Sequence, residues 1–588
     1  MKRTLKLIIS IMLFASMVLS LASCGQANEP EPQRTEGWLA SDGTPIESFT
    51  GEEIIEKSIF GKIKSRELVL TPAAPIVRGT AVTLIDQPEK DEEGNITYEK
   101  IAIKGTAVDE KTSETVETES VYYIKPGFFV TDFQKSITET EKFVRTSATV
   151  YANPEDTTIT GWARKGTRVE ITGFDRFTDE DHRNVEMYRV KYDDTEGYIF
   201  SKYLVDTQEA ADAVYDEVIN GKSVAEWHSD AVYPYFDLYG GDPNKLDYYP
   251  VEKARFENNP LIEDARTMRL SMYCSEYADD FLDCAKSVGV NAVCIDLFDG
   301  ILGYQSDVAK ELCPTAYANT YEDWENFEAM VKKFKDAGFY TIGRIVCFKD
   351  DQYAADHPEN CYRDYDGGLW PSAYNRNVWD YKVQLALEAI DKFDLNEIQF
   401  DYVRFDEFAW YKDEYGDGNY NTTYGEDKCE AVQGFLYYAC DMIHRKNVYV
   451  SVDVFGESSY GYVTSYGQYW PAMSNIVDVI SSMPYTDHFS FNDEDSYLWE
   501  NPYNTVYNWA VGAAGLQKTI ATPAIARTWI TGWDVPYWNP TTYCGPDYLA
   551  AQAQALWDAG LTGGFIPWGQ CEGWRYYAFD WAWTKDYS

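Results

Sequence analysis

From about residue 265 onward the chain repeats one unit, a short apolar run followed by a longer amphipathic stretch. The apolar runs are TMRLSMYC, NAVCIDLF, FYTIGRIVCF, NEIQFD, NVYVSVDVF, VDVISSMPY, KTIATPAI and TGGFIPWG. Between them lie YADDFLDCAKSVG, WENFEAMVKKFKDAG, VWDYKVQLALEAIDKF and EAVQGFLYYACDMIHRK. Near-continuous apolar runs are the mark of strands buried on both faces, and a helix between two strands lets them pair in parallel. Gly289 and Gly338 fall just before strands, where a left-handed residue stops a helix. Eight such runs over about 330 residues predict an α/β domain, a (β/α)8 barrel (a TIM barrel) at 260–588. A doubly wound open sheet is the rival, but no glycine-rich phosphate loop follows the first run.

Three of the runs end on aspartate: AVCID at Asp296, EIQFD at Asp401 and YVSVD at Asp453. Side chains alternate along a strand. If Val293 and Ile295, Ile398 and Phe400, and Val450 and Val452 face the helices, all three aspartates point into the barrel at its C-terminal rim. That rim is where barrels carry catalytic groups, and burying a charge costs several kcal/mol unless it is paired or used. For any one of them, capping a helix or satisfying loop amides is an equally good reading; three at matching register favour a site. Glu457 follows the fifth strand, and Tyr485 and Asp487 follow the sixth. Arg344 lies in the third strand and Arg404 just past Asp401, and an inward arginine holds a carboxylate ionised. Trp470, Trp529, Trp533 and Trp568 lie in or near the post-strand loops, where indoles stack on sugar rings, although packing explains any one of them as well. Paired carboxylates, one ionised and one protonated, are the equipment of glycoside hydrolysis. The five histidines are scattered, no GxSxG or HExxH is present, and no Cys/His spacing suits zinc, so no cofactor or metal is expected.

Lys+Arg 51 against Asp+Glu 96 gives a formal charge of -45, which argues against a nucleic-acid partner. The first 23 residues have a basic start, an apolar stretch and the segment Leu21-Ala22-Ser23 before Cys24. This resembles a lipoprotein signal, which implies lipidation of Cys24 and an anchored, extracytoplasmic protein. Residues 24–49 read as a tether and 50–140 as a small β-rich domain without an assigned role. Residues 141–206 resemble a bacterial SH3 domain through KGTRVEI and GYIFSKYL, a resemblance that implies cell-wall binding. Residues 207–259 read as a connecting helix and loop.

The segments AVCIDLFDG, YTIGRIVCFKD, WDYKVQLALEAI, NEIQFDYVRFDE, NVYVSVDVFGE and VDVISSMPYTDHF occur in an order that resembles the glycoside-hydrolase-like DUF4015 family, over about residues 265–575. That resemblance implies an α-amylase-type barrel. Asp401 would be the nucleophile, Glu457 the acid/base with Asp453 as the other candidate, and Asp487 the third carboxylate. Asp296, Arg344, Arg404, Tyr485 and Trp568 would hold substrate. Asp406 stands where the family usually has proline after VRF. The expectation is a lipid-anchored, retaining glycosidase acting on an α-linked extracellular polysaccharide. The alternative is a non-catalytic lipoprotein that binds cell-wall glycan.

Overall fold

The computed structural model describes residues 32–57, 63–108, 115–155, 157–178, 184–219, 222–223, 226, 239–489, 498–534 and 542–569. The expected signal segment and Cys24 lie outside the described residues. The chain forms two compact units that divide after Thr138.

The first unit is a seven-stranded antiparallel sheet running from Arg34–Leu39 to Phe129–Val130. Its core is Leu39, Ile46, Ile76, Val82, Ile101 and Ile124. The expected tether therefore ends earlier than its polar composition suggested. Arg34–Leu39 pairs with Ala81–Lys90 on one side and Phe129–Val130 on the other, because Gly37 and Leu39 face inward and bury.

The second unit opens with another seven-stranded antiparallel sheet, from Glu141–Val144 to Leu204–Val205. Among the described residues 206–219, Gln208–Asp212 is helical, capped by the Thr207 hydroxyl. The expected helix over 206–226 is thus interrupted after Asp212. Val218–Ile219 instead pairs antiparallel with Lys222–Ser223, as an Asn-Gly dipeptide between β-favouring residues promotes.

The barrel strands are β1 Ala265–Leu270, β2 Ala292–Phe298, β3 Tyr340–Val346, β4 Glu397–Asp401, β5 Tyr449–Phe455, β6 Val479–Met483, β7 Ile525–Ala526, β8 Thr528–Thr531 and β9 Gly564–Trp568. All neighbours pair in parallel. The two end strands of the nine are β7, on β6, and β8, on β9. They are successive pieces of one segment, interrupted at Arg527, so the sheet nearly closes on itself as a TIM-type barrel does. The seventh run was expected at KTIATPAI. The strand lies later, at 525–531, because Pro523 cannot donate to a ladder. Gly564 begins β9 with φ +99°, and a Cβ there would stand 2.1 Å from the Ala265 carbonyl oxygen.

Helix α1, Lys428–Ile443, is buried on every side, which its sequence EAVQGFLYYACDMI anticipates. One face packs on the barrel and the other on the 141–205 sheet. Tyr151 stacks on Tyr438, Arg164 pairs with Glu430, and the Tyr203 hydroxyl donates to Asp441.

At the base of the barrel Arg527 and Glu397 form an ion pair of 2.7 Å between wholly buried side chains, and the Tyr340 hydroxyl donates to the same carboxylate. Arg527→Met should cost about 3–5 kcal/mol in chemical denaturation, because it strands a buried carboxylate. Adding Glu397→Gln should recover most of that loss. A double variant no better than the single one would contradict this pairing.

Candidate active site

Parallel register sets Asp296 beside Arg344 and Arg344 beside Gln399, one strand after another. With period-two alternation, the inward set becomes Thr267 and Arg269 on β1, Cys294 and Asp296 on β2, Arg344 on β3, Gln399 and Asp401 on β4, and Ser451 and Asp453 on β5. Below them the barrel is filled by Ala265, Ala292, Cys294, Tyr340, Ile342, Trp529 and Ile566.

Arg344, 1% exposed, is the centre of this layer. Its Nη1 donates to Asp296 Oδ1 at 2.9 Å and Asp299 Oδ2 at 3.0 Å, its Nη2 to Asp401 Oδ2, and its Nε lies 3.7 Å from Asp453 Oδ2. Arg269 adds a second cation. It pairs with Asp296, donates to the Gly569 carbonyl at 3.0 Å and lies 3.7 Å below the Trp568 ring. A guanidinium so placed has its flat donors matched to carboxylates and its face to an indole. Asp299 is 37% exposed at the rim. Burial works against its charge, but Arg344 and Arg269 hold its carboxyl below the usual range.

The two deepest carboxylates are treated differently. Asp401 receives Arg344 on Oδ2 and the Tyr402 amide on Oδ1 at 2.6 Å, with Tyr402 itself at φ +53°. A left-handed tyrosine costs about 1–3 kcal/mol, and such strain collects at sites. Asp453 is wholly buried. Gln399 Nε2 and Trp529 Nε1 both donate to its Oδ1 at 2.8 Å, while Oδ2 accepts no hydrogen bond. Burial, then the neighbouring Asp401 charge, push its carboxyl well above the usual range, against Arg344 and the Trp529 bond. The pair thus separates into one salt-bridged carboxylate and one carboxyl that keeps its proton.

This makes a pH prediction. A carboxyl whose folded pKa is raised binds its proton while the unfolded chain has released it. Its contribution is complete below about pH 4 and declines as pH climbs toward the folded value, by up to about 1.4 kcal/mol per pH unit. Asp453→Asn, which imitates the neutral form, escapes that decline. Thermal melts should favour the variant progressively from pH 4 to pH 7; a constant difference would mean that Asp453 is ionised throughout.

Around this core stand the other predicted residues. Tyr485 lies close enough to Asp401 and Asp453 that, after burial itself, their charges push its phenol well up, so it stays an O–H donor. Arg404 lies outside the Arg344 cluster. It pairs with Glu407 at 2.9 Å and lies 4.1 Å over the Phe455 ring. Glu457, half-buried, accepts from Tyr462 at 2.6 Å and Tyr466 at 2.8 Å. Asp487 is buried, 3.0 Å from His488 Nδ1. Trp568 ends β9 over the two arginines. Asp406, at the family's proline position, anchors its loop: Tyr362 donates to it at 2.9 Å and it accepts the Phe408 amide at 3.0 Å.

Trp470 and Trp529 are not rim residues. Trp470 is fully buried in Trp470–Ser474 and donates to Gln517, and Trp529 is a strand residue under Asp453. Asp299, Arg269 and the role of Trp529 escaped sequence reading. Arg269 alternates with Thr267, which is the signal that could have placed it inward. Among the described residues no group of His, Cys, Asp and Glu could hold a metal ion. Arg344 occupies the centre of the carboxylates instead.

Residues 269–573, more than half of the chain, match the family profile described as "Putative glycosyl hydrolase domain", DUF4015. The chain belongs to this family. No curated protein matches it. Solved structures similar to it include a hypothetical protein from Ruminiclostridium thermocellum, 28% identical over 32% of this chain and 97% of that one, with a TM-score of 0.27. The PgaB (BpsB) glycoside hydrolase domain from Bordetella bronchiseptica is 11% identical over 53% and 94%, TM-score 0.38. The spore cortex-lytic enzyme SleL from Bacillus megaterium is 10% identical over 55% and 75%, TM-score 0.34. The DUF4015 span takes in the Arg344 cluster, from Arg269 to Trp568.

Proposed function

We propose that this DUF4015 barrel is a retaining glycoside hydrolase acting on an α-linked polysaccharide outside the cell. The observation that carries the reading is the split pair of carboxylates, Asp401 salt-bridged to Arg344 and Asp453 neutral beside it. In this reading an Asp401 oxygen forms a bond to the anomeric carbon as the glycosidic C–O bond breaks, and Glu457 delivers a proton to the leaving oxygen. Water then attacks the glycosyl ester, Glu457 takes its proton, and Asp401 is released. Arg344 pairs with the Asp401 carboxylate. Asp453, without access to solvent, acts through Asp401 as a positioning residue. Tyr485, as a neutral phenol, donates to substrate oxygen, with Asp487 as the third carboxylate.

The α-linkage rests on the amylase-like resemblance. Anchoring through Cys24 rests on the signal-like N-terminus, and wall contact on the SH3-like pattern at 141–206. The test is the anomer of the first product by NMR, once a substrate releases reducing ends. Retention is expected; inversion would overturn the covalent step. A second reading, a non-catalytic glycan-binding lipoprotein, is favoured by one observation, that the Asp401 side chain is only 5% exposed. Binding without turnover would decide for it.

A further inference from the structure

Among the described residues 265–569, every exposed Phe, Tyr or Trp lies between a barrel strand's C-terminal end and the helix that leads into the next strand, Tyr411 and Tyr415 inside the short helix Ala409–Tyr415 on the way. None lies on the opposite face of the barrel. Four of these rings touch one another. Tyr365 packs on Phe408 with centroids 4.4 Å apart and on Tyr411 at 6.2 Å, and Tyr411 packs on Tyr415 at 4.8 Å. They are 42–63% exposed. Solvent-exposed contiguous rings are costly and mark contact surfaces.

The row is held rigid. Tyr411 and Tyr415 are one helical turn apart in Ala409–Tyr415. Tyr365 tips the hairpin that joins Cys361–Arg363 to Leu369–Pro371, where Asp364 accepts the amides of Asp366 and Gly368. Tyr362 and Asp406 exchange two hydrogen bonds and fasten hairpin to helix. The row also adjoins the candidate site along the chain, since Phe408 follows Glu407, which pairs with Arg404 three residues beyond Asp401.

We propose that Tyr365, Phe408, Tyr411 and Tyr415 form a stacking platform for a pyranose polymer whose cleaved unit sits at Asp401. This rests on the glycosidase reading and adds that the substrate is a long chain held well beyond the reacting sugar. Rings offer the flat apolar faces that sugar C–H groups cover. Asp366 and Glu414, hydrogen-bonded beside Tyr365 and Tyr415, supply acceptors for sugar hydroxyls. The same carboxylates disfavour an anionic lipid surface or an acidic polymer.

The test uses Asp401→Asn, so that binding is read without turnover, in native gels cast with soluble starch, chitosan or galactosaminan. At least one polymer should retard it. Tyr365→Ala/Tyr411→Ala/Tyr415→Ala on that background should lose tenfold or more in affinity, with phenylalanine at the same positions restoring it. Retardation unchanged by the alanines, or retardation in no gel, overturns the platform. Release of reducing ends that the same three alanines leave unchanged in an otherwise wild-type chain would also overturn it while leaving the hydrolase reading intact. Ring-dependent retardation without any release would uphold the platform and remove the hydrolase.

Discussion

Asp401→Asn should lower reducing-end release by about 10⁴-fold or more while leaving the fold intact. Removing a nucleophile forfeits the covalent route, and losses of this order correspond to about 5.5 kcal/mol of transition-state stabilisation. The amide fills the same volume and still accepts from the Tyr402 amide on one side. It loses the charge that answers Arg344, but Asp296 and Asp299 continue to neutralise that guanidinium. The melting temperature should therefore move by only a few degrees. A variant that unfolds would report a structural role for Asp401, and one that retains activity would remove it from the chemistry.

Arg344→Met should damage both stability and catalysis. The guanidinium is shared by Asp296, Asp299 and Asp401, with Asp453 beside it. The second cation, Arg269, pairs with Asp296 and Asp299. Stranding buried carboxylates costs about 3–5 kcal/mol, and a fall in melting temperature of about 3–5 °C follows for a unit as large as Glu139–Ser588. Arg344→Lys should restore some stability and little activity, because a point charge cannot reach three carboxylates at once. Equal rescue of both by lysine would show that net charge, not fork geometry, is what the site needs.

The parts of the site that local periodicity controls were legible in the sequence. Strand alternation needs only neighbouring residues, so the inward positions of Asp296, Asp401 and Asp453 follow from Val293, Phe400 and Val452 facing out. What Arg344 grips depends on register between β2, β3 and β4, which no single segment encodes. Asp299 and Arg269 enter the cluster from a loop and from the first strand for the same reason. Trp529 was misplaced because the seventh strand begins after Pro523, later than its hydrophobicity suggests. The all-round burial of α1 could be read as a helix hydrophobic on every side. Its second partner, the 141–205 sheet, could not be inferred from that pattern. The short helix at Gln208–Asp212 stops where a hairpin signal outweighs helix propensity, a competition the composition of 206–226 conceals.

The most direct test of the central claim is reducing-end release by the wild-type chain over α-glucans, galactosaminans and purified cell-wall polysaccharides, with Asp401→Asn in parallel. The account predicts release from at least one polymer and none from the variant. Silence from the wild-type chain on every polymer, with binding to one of them retained, would contradict it.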